Sequence, residues 1–567
     1  MAVLTRGADA LPGSALDFRT GDWRDQRPIH RHRPAPCHHA CPAGEDPQAY
    51  IARLDEGNPR AAWEALIAAN PLPAITGRVC HHPCEDDCNR GQFDQAIAIH
   101  EIERFLGDAA IREDWPYPVP ELADDAPEVA VVGAGPAGLS AAYHLRRLGH
   151  RVALYDRYGE AGGMLALAIP GYRLPRAVRE AEIDRLLATG IDFHRHQVLG
   201  RDVYLDDLGR RHGAVFLAPG CHRPREWSVD GARPDDARDG LGLLKEWLNV
   251  GVTPAPGKRV VVQGGGNTGV DIARVLRFSG AGEVHLVTAS ALPDDESAPP
   301  EDRMSAIPRE VAQARDEGVI IHPHHTLTRL ILREGRVVGV EIAALRKLDG
   351  DDGHRRRVAF EGTETVIAAD EVVPAIGEIV DPLGIEALIG RERYLRADAW
   401  GRLAEALGVF AGGDALGQAG TVTAAIGDGH RAAEAIARHI RHEPESVLGG
   451  GEPVAFDDLN RHYFDRAPRQ KATVLPVAER DGTTEIERGL GHERVAAEAR
   501  RCFSCGDCLA CDNCWTLCPD LAVLKTRAAT ADGGSYVFDY DYCKGCGLCA
   551  EECPSGYIAM IEEPTAT

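Results

Sequence analysis

Sixteen cysteines dominate the chemistry open to this chain of 567 residues, and they are clustered. Ten fall between Cys502 and Cys553, five between Cys37 and Cys88, and Cys221 stands alone between the groups. One run occurs twice near the C-terminus: Cys508-x2-Cys511-x2-Cys514-x3-Cys518-Pro and Cys543-x2-Cys546-x2-Cys549-x3-Cys553-Pro. At this spacing three thiolates hold one 4Fe–4S cube and the fourth crosses to a second. Cys508, Cys511, Cys514 and Cys553 are therefore expected on one cluster, and Cys543, Cys546, Cys549 and Cys518 on the other. Zinc would call for separated cysteine pairs around each ion.

The N-terminal set reads Cys37-x3-Cys41-Pro and Cys80-x3-Cys84-x3-Cys88. Soft thiolates gathered in a helical segment again suit an iron–sulfur cube. His38, His39, His81 and His82 lie beside them and are open to zinc ligation. They read more simply as surface groups or as supports for the thiolates.

Two glycine-rich units suggest dinucleotides. In VAVVGAGPAGLSAAYHLRRLGHRVALYD, an apolar strand leads into Gly133, Gly135 and Gly138. Gly133 permits the tight turn, Gly135 clears space for a pyrophosphate, and Gly138 lets the helix pack on the strand. Asp156 ends the next strand, placed to accept from a ribose hydroxyl. Gly163 follows in a Gly-Gly pair. The second unit, RVVVQGGGNTGVDIARVLRFSGAGEVHLVTAS, places Gly264, Gly266, Asn267 and Gly269 in the same way. Two such units, the second within the span of the first, predict FAD at the first and NAD(P) at the second. GVFAGGDAL supports the flavin: Gly412 and Gly413 allow close approach, Asp414 reaches the ribityl chain, and the helix after Thr421 aims its positive end at the ring. The second unit's outer strand ends His285-Leu286-Val287-Thr288-Ala289-Ser290, without the Arg that usually meets a 2'-phosphate, which leans towards NAD.

These residues need several domains to position them. Residues 1–34 read as an extended arm and 45–112 as helices with cysteines in the loops. Strand–turn–helix units begin at Glu128 and near Lys258. The predicted architecture is α/β with six segments. Residues 1–125 form the arm and helical iron–sulfur domain, 126–225 the first part of an FAD domain, 226–370 an inserted Rossmann-like NAD(P) domain, and 371–445 the second FAD part. Residues 446–495 are a linker, and 496–567 an α+β two-cluster domain. The net charge of -24 disfavours nucleic acid and favours a basic docking partner. No apolar run suits a membrane span and no secretory leader is evident, so a cytoplasmic, thiol-reducing location is expected.

GRVCHHPCEDDCNRG, IHEIERFLGD and both glycine units resemble the glutamate synthase small-subunit family, which includes the electron-entry half of dihydropyrimidine dehydrogenase. The resemblance covers roughly Cys37 to Ile440. It implies FAD and NADPH at the two dinucleotide sites and two N-terminal 4Fe–4S clusters, one with a non-cysteine ligand. Glu103 matches that ligand, so Cys41, Cys80, Cys84 and Glu103 would hold the cluster nearest the flavin; a plain helix-surface carboxylate is the alternative. The chain departs from the family in lacking a cysteine pair before Cys37 and the NADP-binding Arg pair. Four thiols are left over: Cys37, Cys88, Cys502 and Cys505. They either assemble a fourth cluster between the two ends of the chain or leave Cys502 and Cys505 as free thiols.

The expected activity is electron transfer between NAD(P)H and a partner redox protein. The tail YVFDYDYCKGCGLCAEECPSGYIAM is similar to the ferredoxin-like subunit of 2-oxoacid:acceptor oxidoreductases and to the flavoprotein serving dissimilatory sulfite reductase. That favours a subunit of a larger complex over glutamate synthesis. The cofactors supply the chemistry, so no catalytic acid, base or nucleophile is expected. A thioredoxin-reductase-type disulfide centre would need a cysteine pair near the flavin, where only Cys221 is available. A non-catalytic iron–sulfur scaffold is the rival of another class.

Overall fold

The computed structural model describes residues 4–6, 19–234, 237–250, 256–349, 355–389, 393–417, 420–444, 451–526 and 534–564. The N-terminal arm contributes strand β1 (Gln26–His30) before the chain enters a helical domain. Its short helices begin on proline, which costs nothing where the first N–H groups lack partners anyway. Asp46 and Asn58 cap two of them by accepting from Ala49 and Ala61 N–H at 3.1 and 3.0 Å. Cys41 and Cys80 each fall just past a helix end in extended backbone, which turns their side chains out of the helical rods. Helices α1 (Pro73–Val79) and α2 (Ile99–Arg112) cross at Gly77 and Gly107. A Cβ on Gly77 would lie 2.5 Å from the Arg104 nitrogen, so only glycine permits this approach.

The first nucleotide domain runs through β2 (Glu128–Val132), α3 (Pro136–Arg147), β3 (Arg151–Tyr155), α4 (Arg176–Leu187), β4 (Ile191–His194) and β5 (Ala214–Leu217). The second comprises β6 (Arg259–Gln263), α5 (Asn267–Phe278), β7 (Glu283–Val287), α6 (Pro308–Asp316), β8 (Ile320–His322) and β9 (Glu371–Pro374). The chain then returns to the first domain as β10 (Val409–Ala411) and α7 (Val422–Arg441). The first sheet has the parallel order β10-β5-β2-β3-β4, and the second β8-β7-β6-β9. Their central strands are Val- and Ala-rich and buried, as parallel sheets covered on both faces require. One apolar core runs from Trp63 and Leu106 of the helical domain through Leu139 to Ile426 and Ile436 on α7, so the iron–sulfur and FAD domains are packed as one body.

Residues 451–491 cling to this body along their length. Arg469 donates to Ala96 and Ile97 carbonyls, while Leu475 and Ile486 enter the core of the second nucleotide domain. The C-terminal cysteine segment ends in β11 (Ile558–Glu562), which pairs antiparallel with β1 from the other end of the chain. Among the described residues no helix is long and apolar enough to cross a membrane.

Candidate functional site

A cavity of about 410 Å³ lies where the two nucleotide domains and the helical domain meet. Gly133, Gly135, Asp156, Gly163, Gly413, Asp414, Thr421 and Asn267 all line it. Gly133 turns at φ +105°, with the Ala218 carbonyl occupying the space a side chain would need. Gly138 is stacked on the Gly133 carbonyl, which brings α3 hard against β2. Asp156 braces the turn: its oxygens accept from Ala134 and Tyr158 N–H, each at 2.7 Å. Burial holds its carboxyl above the usual range despite those bonds. Gly413 N–H donates to Asp428 at 2.9 Å, and burial likewise raises Asp414. Thr421 caps α7 by accepting from Ala424 N–H at 3.2 Å, leaving the positive end of that helix on the cavity wall. The glycines, the carboxylate at the strand end and the helix terminus fit a flavin dinucleotide. Cys221 is the only cysteine on the cavity wall among the described residues, and its thiol donates to the Asp414 carbonyl at 3.2 Å. Among those residues the wall thus holds no cysteine pair for disulfide chemistry.

The second glycine turn repeats this design. Gly264 adopts φ +146° against the Ala375 carbonyl, and a Cβ on Gly269 would reach 2.5 Å from the Gly264 oxygen. Asn267 has a use the motif did not indicate. Its Oδ1 accepts from Ile307 N–H and its Nδ2 meets His81 Nε2, both at 3.0 Å, tying α5 to the iron–sulfur domain. Beyond the end of β7 the backbone of Arg303 bridges Ala291, and its Nε donates to the Ala298 carbonyl at 2.9 Å. No local spacing would have revealed this cation.

The sixteen cysteines are all free, and fifteen of them gather in groups. Cys508, Cys511, Cys514 and Cys553 line one small cavity, and Cys518, Cys543, Cys546 and Cys549 line another. A third is lined by Cys37, Cys88, Cys502 and Cys505, so the four leftover thiols from both ends of the chain are brought together. Burial pushes Cys502 up to about 11 and Cys505 up to about 12. A thiol so placed is held protonated near neutral pH, and binding of a metal cation at the sulfur, as in an iron cluster, releases that proton to solvent. Donors already face the sulfurs: Asn89 Nδ2 to Cys505 at 3.5 Å, Ala522 N–H to Cys518 at 3.2 Å, and Gly545 N–H to Cys543 at 3.4 Å. Such donors tune cluster potentials.

Cys41, Cys80 and Cys84 form the remaining group beside Glu103. Glu103 is buried rather than on the helix surface; it accepts from Asn70 Nδ2 at 2.8 Å and from Thr76. Glu45, four residues after Cys41, is a second buried carboxylate that motif reading missed, and it too accepts from Asn70 Nδ2 at 2.8 Å. Burial raises both carboxyls. Cys80 is the thiol next to the flavin cavity: its neighbours Val79 and His81 line the cavity, and its sulfur accepts from Thr423 Oγ1 at 2.9 Å.

Among the described residues, the histidines do not converge with these thiols as zinc ligands would. His39 is exposed and His38 lies 3.8 Å from Asp46. His82, Glu85 and His100 approach one another, with their ligand atoms within 4.8 Å and the two rings stacked at 4.1 Å. Arg469 pairs with Glu85 and Arg309 lies 3.3 Å from His100, so guanidinium charge already occupies the place of a cation.

Residues 127–429 match the pyridine nucleotide-disulphide oxidoreductase model. The chain belongs to the pyridine nucleotide-disulphide oxidoreductase family. Two further models place iron–sulfur domains at either end of this oxidoreductase: dihydropyrimidine dehydrogenase domain II, 4Fe-4S cluster, at 26–115, and a 4Fe-4S dicluster domain at 507–557. The oxidoreductase is 34% identical to the NADP(+)-dependent formate dehydrogenase subunit beta of Moorella thermoacetica, over 83% of this chain and 70% of that one. It is 33% identical to the NADPH-Fe(3+) oxidoreductase subunit beta of Geobacter sulfurreducens, over 88% and 80%. It is 30% identical to the NADPH glutamate synthase small chain of Azospirillum brasilense, over 73% and 88%. It is accordingly an NAD(P)H-dependent oxidoreductase that uses FAD and 4Fe–4S clusters to transfer electrons.

Proposed function

We propose that this oxidoreductase is the nucleotide-facing subunit of a larger redox complex and that it carries electrons along four 4Fe–4S clusters. The contact that supports this reading best is Thr423 to Cys80, which joins the helix ending at the flavin cavity to the first thiolate of the chain of clusters. Bound in that cavity, FAD would accept a hydride and release electrons singly, which nicotinamide does not do readily. Gly133, Gly135, Gly138, Asp156, Gly163, Gly413, Asp414 and Thr421 would hold it. Gly264, Gly266, Asn267 and Gly269 would position the nicotinamide dinucleotide, Asn267 by fixing its helix.

The ligand sets run outward from the flavin. Cys41, Cys80, Cys84 and Glu103 come first, then Cys37, Cys88, Cys502 and Cys505. Cys508, Cys511, Cys514 and Cys553 follow, and Cys518, Cys543, Cys546 and Cys549 end the series. Cys511 and Cys546 are exposed, so the last two groups reach the surface where a partner docks. Names of the relatives suggest partners that oxidise or reduce small carbon compounds or metals; 2-oxoacid oxidoreductases and dissimilatory sulfite reductase fit the same tail. The oxidoreductase also covers most of a glutamate synthase small chain, but its C-terminal cluster segment favours a different partner. NADH is the preferred donor: Thr288, Ala289 and Ser290 offer no cation, and the acidic turn Asp294-Asp295-Glu296 follows closely.

Anaerobically purified, iron-reconstituted protein should contain roughly sixteen irons per chain and one FAD. It should reduce benzyl viologen with NADH faster than with NADPH. Absence of turnover with both nucleotides would favour the scaffold reading, and a preference for NADPH would overturn the choice of NADH.

A further inference from the structure

Six buried charges join three parts of the chain that no motif connects. Arg173, in the turn before α4, places Nη1 2.7 Å from Asp271 Oδ2 and Nε 3.3 Å from Glu310 Oε1. Arg274 pairs with Glu310 and lies 2.8 Å from Glu317, which also takes Arg480 Nη1 at 2.6 Å. Each of the six side chains is at most 6% exposed. Tyr172 adds its hydroxyl to Asp271 at 3.4 Å and its ring to Arg274 at 4.4 Å. Tyr172 and Arg173 belong to the FAD domain, Asp271, Arg274, Glu310 and Glu317 to the NAD(P) domain, and Arg480 to the strap that crosses both.

Such a network is a costly way to gain stability, because desolvation of buried ions offsets most of their attraction. Its value lies in register: Arg173 meets Asp271 and Glu310 only when the two domains sit in one relative orientation. Arg173 and Asp271 also line the flavin cavity. Asp271 lies four residues into α5, about one turn from the helix N-terminus that receives the pyrophosphate. Fixing Asp271 therefore fixes that terminus over the cavity. A swing of the NAD(P) domain would part Asp271 from Arg173, its ion-pair partner, while Glu310 would keep Arg274, and a buried charge stripped of its partner is strongly disfavoured.

We infer that Arg173 and Asp271 form a latch that holds the nicotinamide-binding helix against the flavin cavity, so that both cofactors meet without domain rotation. They are positioning residues. The inference rests on the proposed placement of FAD and the nicotinamide dinucleotide.

The test compares full-length, cluster-loaded protein with Arg173→Met, Arg173→Lys and Asp271→Asn at equal FAD content. Rapid mixing with NADH reads flavin bleaching and the long-wavelength charge-transfer absorbance of stacked nicotinamide and flavin; titration with NAD+ reads affinity. Arg173→Met and Asp271→Asn are expected to bind NAD+ within about threefold of the parent, lose the charge-transfer band and slow flavin reduction at least tenfold. Arg173→Lys should recover much of both. Unchanged reduction and an intact band in both neutral variants would overturn the latch, as would Arg173→Lys behaving no better than Arg173→Met. A parent protein whose flavin is bleached by neither NADH nor NADPH would instead overturn the proposed function.

Discussion

Thr423 Oγ1 donates to Cys80 Sγ at 2.9 Å although 343 residues separate the two in the chain. The bond places Cys80, a proposed cluster ligand, against the first turn of the helix whose N-terminus lies on the cavity wall. Hydrogen bonds to sulfur stabilise the reduced, more negative form of a cluster. Replacing Thr423 with Val should therefore shift the potential of the flavin-side cluster downward, by about 20–60 mV if the bond is worth the usual 0.5–1.5 kcal/mol. An EPR-monitored redox titration checks this, and an unchanged potential would count against Cys80 as a ligand.

The cavity lined by Cys37, Cys88, Cys502 and Cys505 predicts a cluster held by both ends of the chain. Cys502→Ser should cut iron from roughly sixteen to roughly twelve per chain while sparing the two C-terminal clusters. Iron and sulfide assays with EPR spin counting provide the check. Retention of the full iron content in both Cys502→Ser and Cys505→Ser would leave these residues as bystanders.

Gly429 on α7 sits where a Cβ would come within 2.8 Å of the Ala141 nitrogen and 2.9 Å of the Ser140 Cβ. Gly429→Ala must push α7 off α3, an overpacking cost of about 1–3 kcal/mol. Because both helices carry cavity-lining residues, FAD affinity should fall at least tenfold with far-UV circular dichroism little changed. Fluorescence of released flavin measures the effect.

Glu182 on α4 accepts from Ala74 and Ile75 N–H at 2.8 and 2.9 Å, docking the FAD domain onto the N-terminus of α1. Burial pushes its carboxyl up to about 8. The folded state then binds this proton more tightly than the unfolded chain, whose carboxyl titrates near 4.5. From this group alone, stability is greatest below about 4.5 and declines as pH rises to about 8, with no further change above. Glu182→Gln should flatten that decline. Denaturant midpoints at pH 6 and pH 8.5 report it: the wild-type difference should exceed that of the variant.

Ligand runs confined to one stretch of chain are legible in the sequence. Cys508 to Cys518 and Cys543 to Cys553 carry their geometry in their spacing, and each glycine turn carries its own. The gathering of Cys37 and Cys88 with Cys502 and Cys505 is visible there only as a remainder in a count, because nothing local encodes an encounter between the two ends. Glu45, Arg303 and the Arg173–Asp271 pair are not legible. Their roles arise from tertiary packing, and an isolated carboxylate or guanidinium looks the same in sequence whether it ends in solvent or in a core. The segment 446–495 has the polar, irregular composition of a tether, yet its Leu475 and Ile486 are buried in the NAD(P) domain and its Arg480 closes an ion network.

Strand β1 pairs with β11, and Cys37 shares a cavity with Cys502. During synthesis the early thiols leave the ribosome long before their counterparts exist. Iron delivery to the proposed centre would then await nearly complete translation, and the nascent chain would have to keep those sulfurs reduced in the meantime. Maturation of this enzyme should be sensitive to oxidants chiefly in that interval, with the finished molecule better protected than its precursor.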